Sequence, residues 1–135
     1  MSDYLEDLLF STSLIEQIEL VHELLFKDYK RHYLIPHNPR AIEVDAVATF
    51  LTRTGKERLI GFELKKSDYL KAFKQAEARK HFFDYFYIVM GVPAWFIQPS
   101  FFCDIAKEGI GLICGSQIII KARYSPRRTL EEVIE

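Results

Sequence analysis

The chain has 135 residues, the size of one domain, and we expect residues 1–135 to form a single domain. Apolar residues make up 49% of it, which argues against an intrinsically disordered chain. The formal net charge of −1 argues against a protein that coats DNA non-specifically, but it is compatible with an enzyme that has one local basic groove.

The cysteines and the chain start bear on the cellular compartment. The two cysteines, Cys103 and Cys114, do not make a disulfide framework or a zinc site, and we expect both to be buried thiols in a reducing environment. The acidic N-terminus differs from a secretory signal, and the longest apolar stretch, residues 85–97, is too short to span a bilayer. We therefore expect a cytoplasmic protein that does not bind membranes.

The first predicted element is a helix. Ser13 and Glu16 have the spacing of a capping box, and apolar residues repeat at helical spacing from Leu14 to Tyr29. The spacing predicts a helix over residues 14–29, followed by a short strand over 32–35.

A β-hairpin follows. Residues 40–51 and 57–65 alternate between apolar and other residues as strands do, and the loop Arg53-Thr54-Gly55 suits a three-residue turn with glycine in the left-handed conformation. With Thr54 at the centre, Asp45 lies opposite Glu63 and the two share a face. A two-residue loop would instead oppose Asp45 to Leu64 and send the carboxylates to opposite faces.

The remaining elements alternate between helices and strands. We predict a helix over 69–83 capped by Ser67 or Asp68, a buried strand over 85–90 and a short helix near 101–107. Two short strands follow over 111–114 and 117–122. This order predicts an α/β domain with a mixed sheet flanked by helices.

Asp45, Glu63 and Lys65 carry the clearest chemical signal. Two carboxylates on neighbouring strands can hold a magnesium ion, which binds through one or two carboxylates, water and substrate phosphate. A lysine two residues after the second carboxylate lies on the same face, about 7 Å along the strand. It can orient or help deprotonate an attacking water and offset phosphate charge. Alternatively, a Glu-x-Lys pair on a strand is an ordinary pair of solvated surface charges.

Polar and basic residues follow this motif. Gln75 and Arg79 are one helical turn apart and can contact DNA phosphate or position the lysine. Lys66 and Lys71 add positive charge for phosphate binding. The alternative is a solvated helix face.

The quoted segments resemble the PD-(D/E)XK nuclease superfamily, especially its small DNA-repair and Holliday-junction-resolvase types. The resemblance is carried by Ile42-Glu-Val-Asp-Ala-Val-Ala, by Gly61-Phe-Glu-Leu-Lys-Lys-Ser-Asp, by Gln75 and by the strand after Asp84. It extends over residues 13–122. Val44 stands where the superfamily's name has proline, as in many members.

The resemblance implies a restriction-endonuclease-like core with αβββαβ order and a deoxyribonuclease that uses Mg²⁺ or Mn²⁺ to hydrolyse DNA in repair, recombination or mobile-element biology. It adds the Leu64 carbonyl as a metal ligand and suggests a homodimer. Some members place a further glutamate near the metal; Glu16, Glu19 and Glu23 are the candidates, and Glu19 is our choice. The alternatives are a non-catalytic nucleic-acid-binding or assembly module on the same fold, or an unrelated α/β domain.

The aromatic segment before the third helix has two interpretations. Trp95-Phe96 and Phe101-Phe102 are expected to lie mainly in the core. If they are exposed, a dimer contact is the expectation.

Overall fold

The computed structural model describes residues 11–35, 42–65 and 68–128. Within these residues the helices are α1 (Thr12–His22), α2 (Tyr69–Arg79) and α3 (Pro99–Lys107). Its strands are β1 (Leu25–Leu34), β2 (Glu43–Leu51), β3 (Glu57–Lys65), β4 (Tyr85–Met90), β5 (Gly111–Cys114) and β6 (Gln117–Ile120). Short 3₁₀ turns cover Lys80–Phe82 and Ala94–Phe96.

The six strands form one mixed sheet in the order β1-β2-β3-β4-β5-β6. β4 runs parallel to both β3 and β5, and the other neighbours are antiparallel. The connections from β3 to β4 and from β4 to β5 each contain a helix and move in the same direction across the sheet. Because such crossovers are right-handed, α2 and α3 lie on the same face. The predicted α/β class and the element order are confirmed.

Two apolar clusters cover the two faces of the sheet. The first contains residues of α1 and the even-numbered positions of β3, and its members include Leu14, Ile18, Ile60, Phe62 and Leu64. The second contains residues of α2 and α3, and its members include Val47, Ala72, Ala76, Phe101 and Ile105. The face under α2 and α3 therefore receives the odd-numbered side chains of β3, Glu63 among them.

The β2–β3 register agrees with the prediction. Thr52 N–H donates to the Lys56 carbonyl at 2.8 Å, which closes the three-residue loop, and Gly55 has the left-handed φ of 85° that the loop requires. The backbone pairs run from Leu51–Glu57 to Ala46–Phe62. Asp45 and Glu63 occupy the next opposed positions. The apolar alternation fails at the start of β2, where Val44 packs in the second cluster rather than with Ala46.

The first helix is shorter than predicted, and its cap is Ser11 rather than Ser13. The helix ends at His22 because Glu23 adopts the left-handed conformation, with φ 54°. The Leu24 N–H returns to the Glu19 carbonyl at 3.0 Å, a bond typical of such helix ends. Residues 25–34 then pair with β2, so the strand predicted over 32–35 starts seven residues earlier. The helical spacing beyond residue 22 was misleading, because strand pairing takes precedence over this local pattern.

Other predictions have mixed outcomes. Asp68 caps α2, which stops at Arg79 and continues as a 3₁₀ turn instead of extending to residue 83. Cys114 is buried as expected, whereas Cys103 is exposed on α3, contrary to the prediction. Across residues 11–35, 42–65 and 68–128, no helix is long and apolar enough to cross a membrane.

Candidate active site

The candidate site is a pair of carboxyl groups where β2 and β3 stop pairing through their backbones. The last backbone pair is Ala46–Phe62. Beyond it, a side chain joins the two strands, because Asp45 Oδ2 accepts the Leu64 N–H at 2.8 Å. This hydrogen bond fixes the Asp45 carboxylate beside β3. Glu63 is buried, with 3% of its surface exposed, and its carboxyl group is close enough to Asp45 for the charge of Asp45 to act on it.

The electrostatic state of Glu63 is unusual. Burial raises its pKa from 4.5 to about 7, and the nearby negative charge of Asp45 adds to the increase, while Arg79 and Lys65 oppose it. Two neighbouring ionised carboxylates repel each other, and this repulsion helps Glu63 to keep its proton. A cation between the two groups would remove that repulsion.

Arg79 and Gln75 complete the site from α2. Arg79 Nε lies 3.6 Å from Glu63 Oε1, and only 20% of the Arg79 side chain is exposed. In the described part of the chain, three buried side-chain atoms lack a hydrogen-bond partner: Glu63 Oε1, Gln75 Oε1 and Arg79 Nε. Glu63 Oε1 and Arg79 Nε face each other in this ion pair at a distance longer than a hydrogen bond. Buried polar atoms normally have hydrogen-bond partners, so the pair has room for a ligand, an ion or water.

Comparisons with known proteins show the fold alone. The chain is similar in structure to a protein of unknown function from Silicibacter pomeroyi, with a TM-score of 0.50, 12% sequence identity and coverage of 90% of this chain and 75% of that one. No family model and no curated protein matches the sequence.

Lys65 lies at the same end of β3 as the carboxyl pair. It is partly buried, and its positive charge is close enough to lower the pKa of Glu63. Between the two residues, the backbone of Leu64 is held next to Asp45 by the hydrogen bond described above. The structure thus brings together three predicted site residues, Asp45, Glu63 and Lys65, and pairs Arg79 with Glu63. Gln75 lies one turn before Arg79 on α2, with its Oε1 buried.

Glu19 is not part of this group, and its choice as a metal ligand was wrong. It lies on α1, whose buried residues pack on the opposite face of the sheet from α2. Its Oε2 accepts the Phe26 N–H at 2.9 Å. Glu19 therefore stabilises the passage from α1 into β1, a structural role that the spacing of the helix could not reveal.

The predicted DNA-binding lysines differ in what the structure describes. Lys71 is exposed in the first turn of α2, on the helix that carries Gln75 and Arg79. Lys66 lies outside the described residues. Arg79 Nε faces Glu63 Oε1 at 3.6 Å, and the contact of Arg79 with a DNA phosphate stays a prediction.

The donor set fits a hard divalent cation with few protein ligands. No group of three or more His, Cys, Asp or Glu side chains that could hold a metal occurs in the described parts of the chain. The site instead offers the carboxylates of Asp45 and Glu63 beside the backbone of Leu64, and Glu63 Oε1 accepts no hydrogen bond. Magnesium is commonly bound by one or two carboxylates, with water and substrate completing its shell. The residues therefore fit magnesium or manganese.

A second buried acid, Asp84, was not singled out from the sequence. Its Oδ2 accepts the Leu59 N–H at 2.8 Å and lies 3.2 Å from Arg127 Nε. It stands before β4, beside the part of β3 that is remote from Glu63. These partners belong to β3 and to the segment after β6, so Asp84 joins both to the start of β4.

Proposed function

We propose that the protein is a magnesium- or manganese-dependent deoxyribonuclease with a restriction-endonuclease-like core. The observation that carries the proposal is the pairing of Asp45 with the buried Glu63, with Lys65 two residues farther along the same strand. Two carboxylates and a lysine at this spacing can supply a metal-binding platform and a cationic group beside the attacking water, which suit the hydrolysis of a phosphodiester.

The residues have separable roles in this proposal. Asp45, Glu63 and the Leu64 carbonyl would hold the metal, which when bound would neutralise charge on the phosphate oxygens. Lys65, as an ammonium, orients the attacking water and offsets the charge of the phosphate. Arg79 holds the Glu63 carboxyl in place and favours its ionised form.

Gln75 is assigned a positioning role. Its Oε1 is buried and unpartnered, on the same helix as Arg79 and one turn away. An amide carbonyl at this position can accept a hydrogen bond from the Lys65 ammonium or from a water in the site. Either contact would restrict the orientation of the groups that act on phosphate.

A cleavage panel tests the proposal. Linear, single-stranded, flapped and four-way DNA are incubated with Mg²⁺, with Mn²⁺ or with EDTA, and the products are resolved on denaturing gels. We expect metal-dependent cleavage of at least one form. Asp45→Asn and Lys65→Ala are each expected to lower the rate by roughly 10²–10⁴-fold.

Matched controls separate loss of the site from loss of the fold. Asp28→Asn and Lys56→Ala make the same chemical changes at exposed positions in β1 and in the β2–β3 loop, and both should cleave at the wild-type rate. Full activity in Asp45→Asn or Lys65→Ala would refute the mechanism. Calorimetric titration with Mg²⁺ or Mn²⁺ distinguishes the non-catalytic module, which would bind nucleic acid but neither metal.

A further inference from the structure

Two exposed aromatic rings stand next to each other on the segment between β4 and α3. Trp95 is 78% exposed and Phe96 is 62% exposed, so the prediction that both lie in the core was wrong. Their rings stack with centroids 4.3 Å apart and planes inclined by 20°. We call this pair the aromatic platform.

The aromatic platform is held by its own backbone and by the core below it. Phe96 N–H donates to the Pro93 carbonyl at 3.0 Å, which closes the 3₁₀ turn. The next residue, Ile97, is buried in the second apolar cluster. A rigid aromatic surface loses little conformational entropy when it binds a ligand, and rings exposed to this extent usually mark a contact site.

The platform lies at the end of the sheet that carries the candidate active site. The segment starts at Gly91, whose N–H donates to the Lys65 carbonyl at 3.0 Å. Trp95 is four residues farther on, so its Cα is at most about 14 Å from that of Gly91.

The residues that anchor the platform pack on the face of the sheet to which Glu63 points. Phe101, five residues after Phe96, contacts Tyr69 in the first turn of α2, with ring centroids 4.6 Å apart and planes inclined by 52°. Ile97 and Phe101 share the second apolar cluster with Val47 and Ala72, on the side of the sheet to which Glu63 points. The platform and the carboxyl pair therefore lie at the same end of the sheet, and the residues that anchor the platform pack on the face to which Glu63 points.

We infer that the aromatic platform stacks against an unpaired nucleobase of the DNA strand whose phosphate lies at Asp45 and Glu63. This inference rests on the proposed function and specifies its substrate: DNA with a single-stranded or unstacked segment beside the cleavage position. Bases in a continuous duplex are stacked on one another, whereas an unpaired base offers a free face to an aromatic side chain.

A second copy of the chain is the competing occupant, and the size of the platform argues against it. Two aromatic side chains bury about 300–500 Å² when fully covered. A stable interface buries about 800 Å² from each partner. The platform matches the area of a base or two better than it matches a dimer interface.

The single tryptophan of the chain provides a direct probe. Wild-type protein in EDTA is titrated with single-stranded oligodeoxythymidylate and with a blunt duplex, and the emission of Trp95 is recorded. We expect quenching by the single strand and little change with the duplex. An oligonucleotide carrying abasic sites keeps its phosphates but should quench weakly, because it has fewer bases to stack.

Substitution measures the contribution of each ring. By fluorescence anisotropy of a labelled single strand, Trp95→Ala and Phe96→Ala should each weaken binding by roughly 5- to 150-fold, the range for loss of one stacked base. Leu20→Ala is the matched control: Leu20 is 80% exposed but lies on α1, across the sheet, and its variant should bind as the wild type does.

Each outcome decides the inference. Unchanged single-strand affinity in Trp95→Ala, or equal quenching by the abasic strand, would overturn it. So would a sedimenting dimer that Trp95→Ala dissociates, since the platform would then belong to a second copy. Base stacking without cleavage of any DNA by the wild type in Mg²⁺ or Mn²⁺ would overturn the proposed nuclease and leave the platform in place.

Discussion

Replacing Glu63 by glutamine should change how the stability of the protein depends on pH. Glu63 has a pKa of about 7 in the folded chain against an ordinary value of 4.5. The folded state therefore binds the proton more tightly than the unfolded chain does. As a result, the free energy of unfolding falls as the pH rises from 4.5 to 7 and stays low above that range.

The size of the effect follows from the two pKa values. Their separation of about 2.5 units corresponds to about 3 kcal/mol between pH 4.5 and pH 8.5. Glutamine has nearly the same shape as the protonated acid, but it does not titrate. The variant should therefore avoid this loss and exceed the wild type in stability at pH 8.5.

Urea denaturation in EDTA, repeated across this pH range, measures the effect as a difference between proteins. The comparison between proteins is needed because His22 makes stability depend on pH in the opposite direction. Burial, assisted by the charge of Lys121, lowers the pKa of His22 to about 4. The contribution of His22 to the unfolding free energy is therefore lost as the pH falls from 6.5. His22 is present in both proteins and cancels. Glu16→Gln, at an exposed position, is the control and should follow the wild type.

The same pH profile for wild type and Glu63→Gln would refute the assignment of Glu63 as a buried, electrostatically strained acid. A further measurement ties the strain to the proposed metal. Magnesium at pH 8.5 should raise the unfolding free energy of the wild type, because a bound cation relieves the repulsion between Glu63 and Asp45. It should do so much less in Glu63→Gln.

Two further predictions concern the scaffold. Asp84→Ala should lower the unfolding free energy by about 1–3 kcal/mol in urea, because the buried Leu59 N–H loses its acceptor; Asp104→Ala, on the exposed side of α3, should not. Gly111→Ala should cost about 1–3 kcal/mol in the same assay, because the new methyl group would overlap the Tyr87 ring and approach the Ala122 nitrogen to 2.8 Å. Wild-type stability in either variant would contradict the packing described.

The order of elements and the central hairpin could be predicted because their signals are local. Alternation over residues 57–65 marks β3, and a left-handed glycine in a three-residue loop fixes the register of Asp45 against Glu63. Which carboxylates meet is then a matter of strand geometry. The position of the catalytic candidates follows from these short-range features.

The errors arose where distant parts of the chain decide the structure. The end of α1 depends on the pairing of residues 25–34 with β2, and the location of Glu19 depends on which face α1 covers. Contact between Arg79 and Glu63 joins a helix to a strand, and no spacing within either element encodes it. The exposure of Trp95 likewise depends on how the segment before α3 lies on the core.

The sequential order of the sheet has a consequence for how the protein folds. Each strand lies beside the strand that precedes it in the chain, so no strand must be inserted between two that have already formed. All the side chains of the candidate site come from residues 45–79, a stretch that consists of one hairpin and the helix after it. We expect this stretch to gain its native contacts early, since closing short loops costs the least entropy. The candidate site residues would then be close together before the C-terminal third of the chain has folded. That third would stabilise their arrangement.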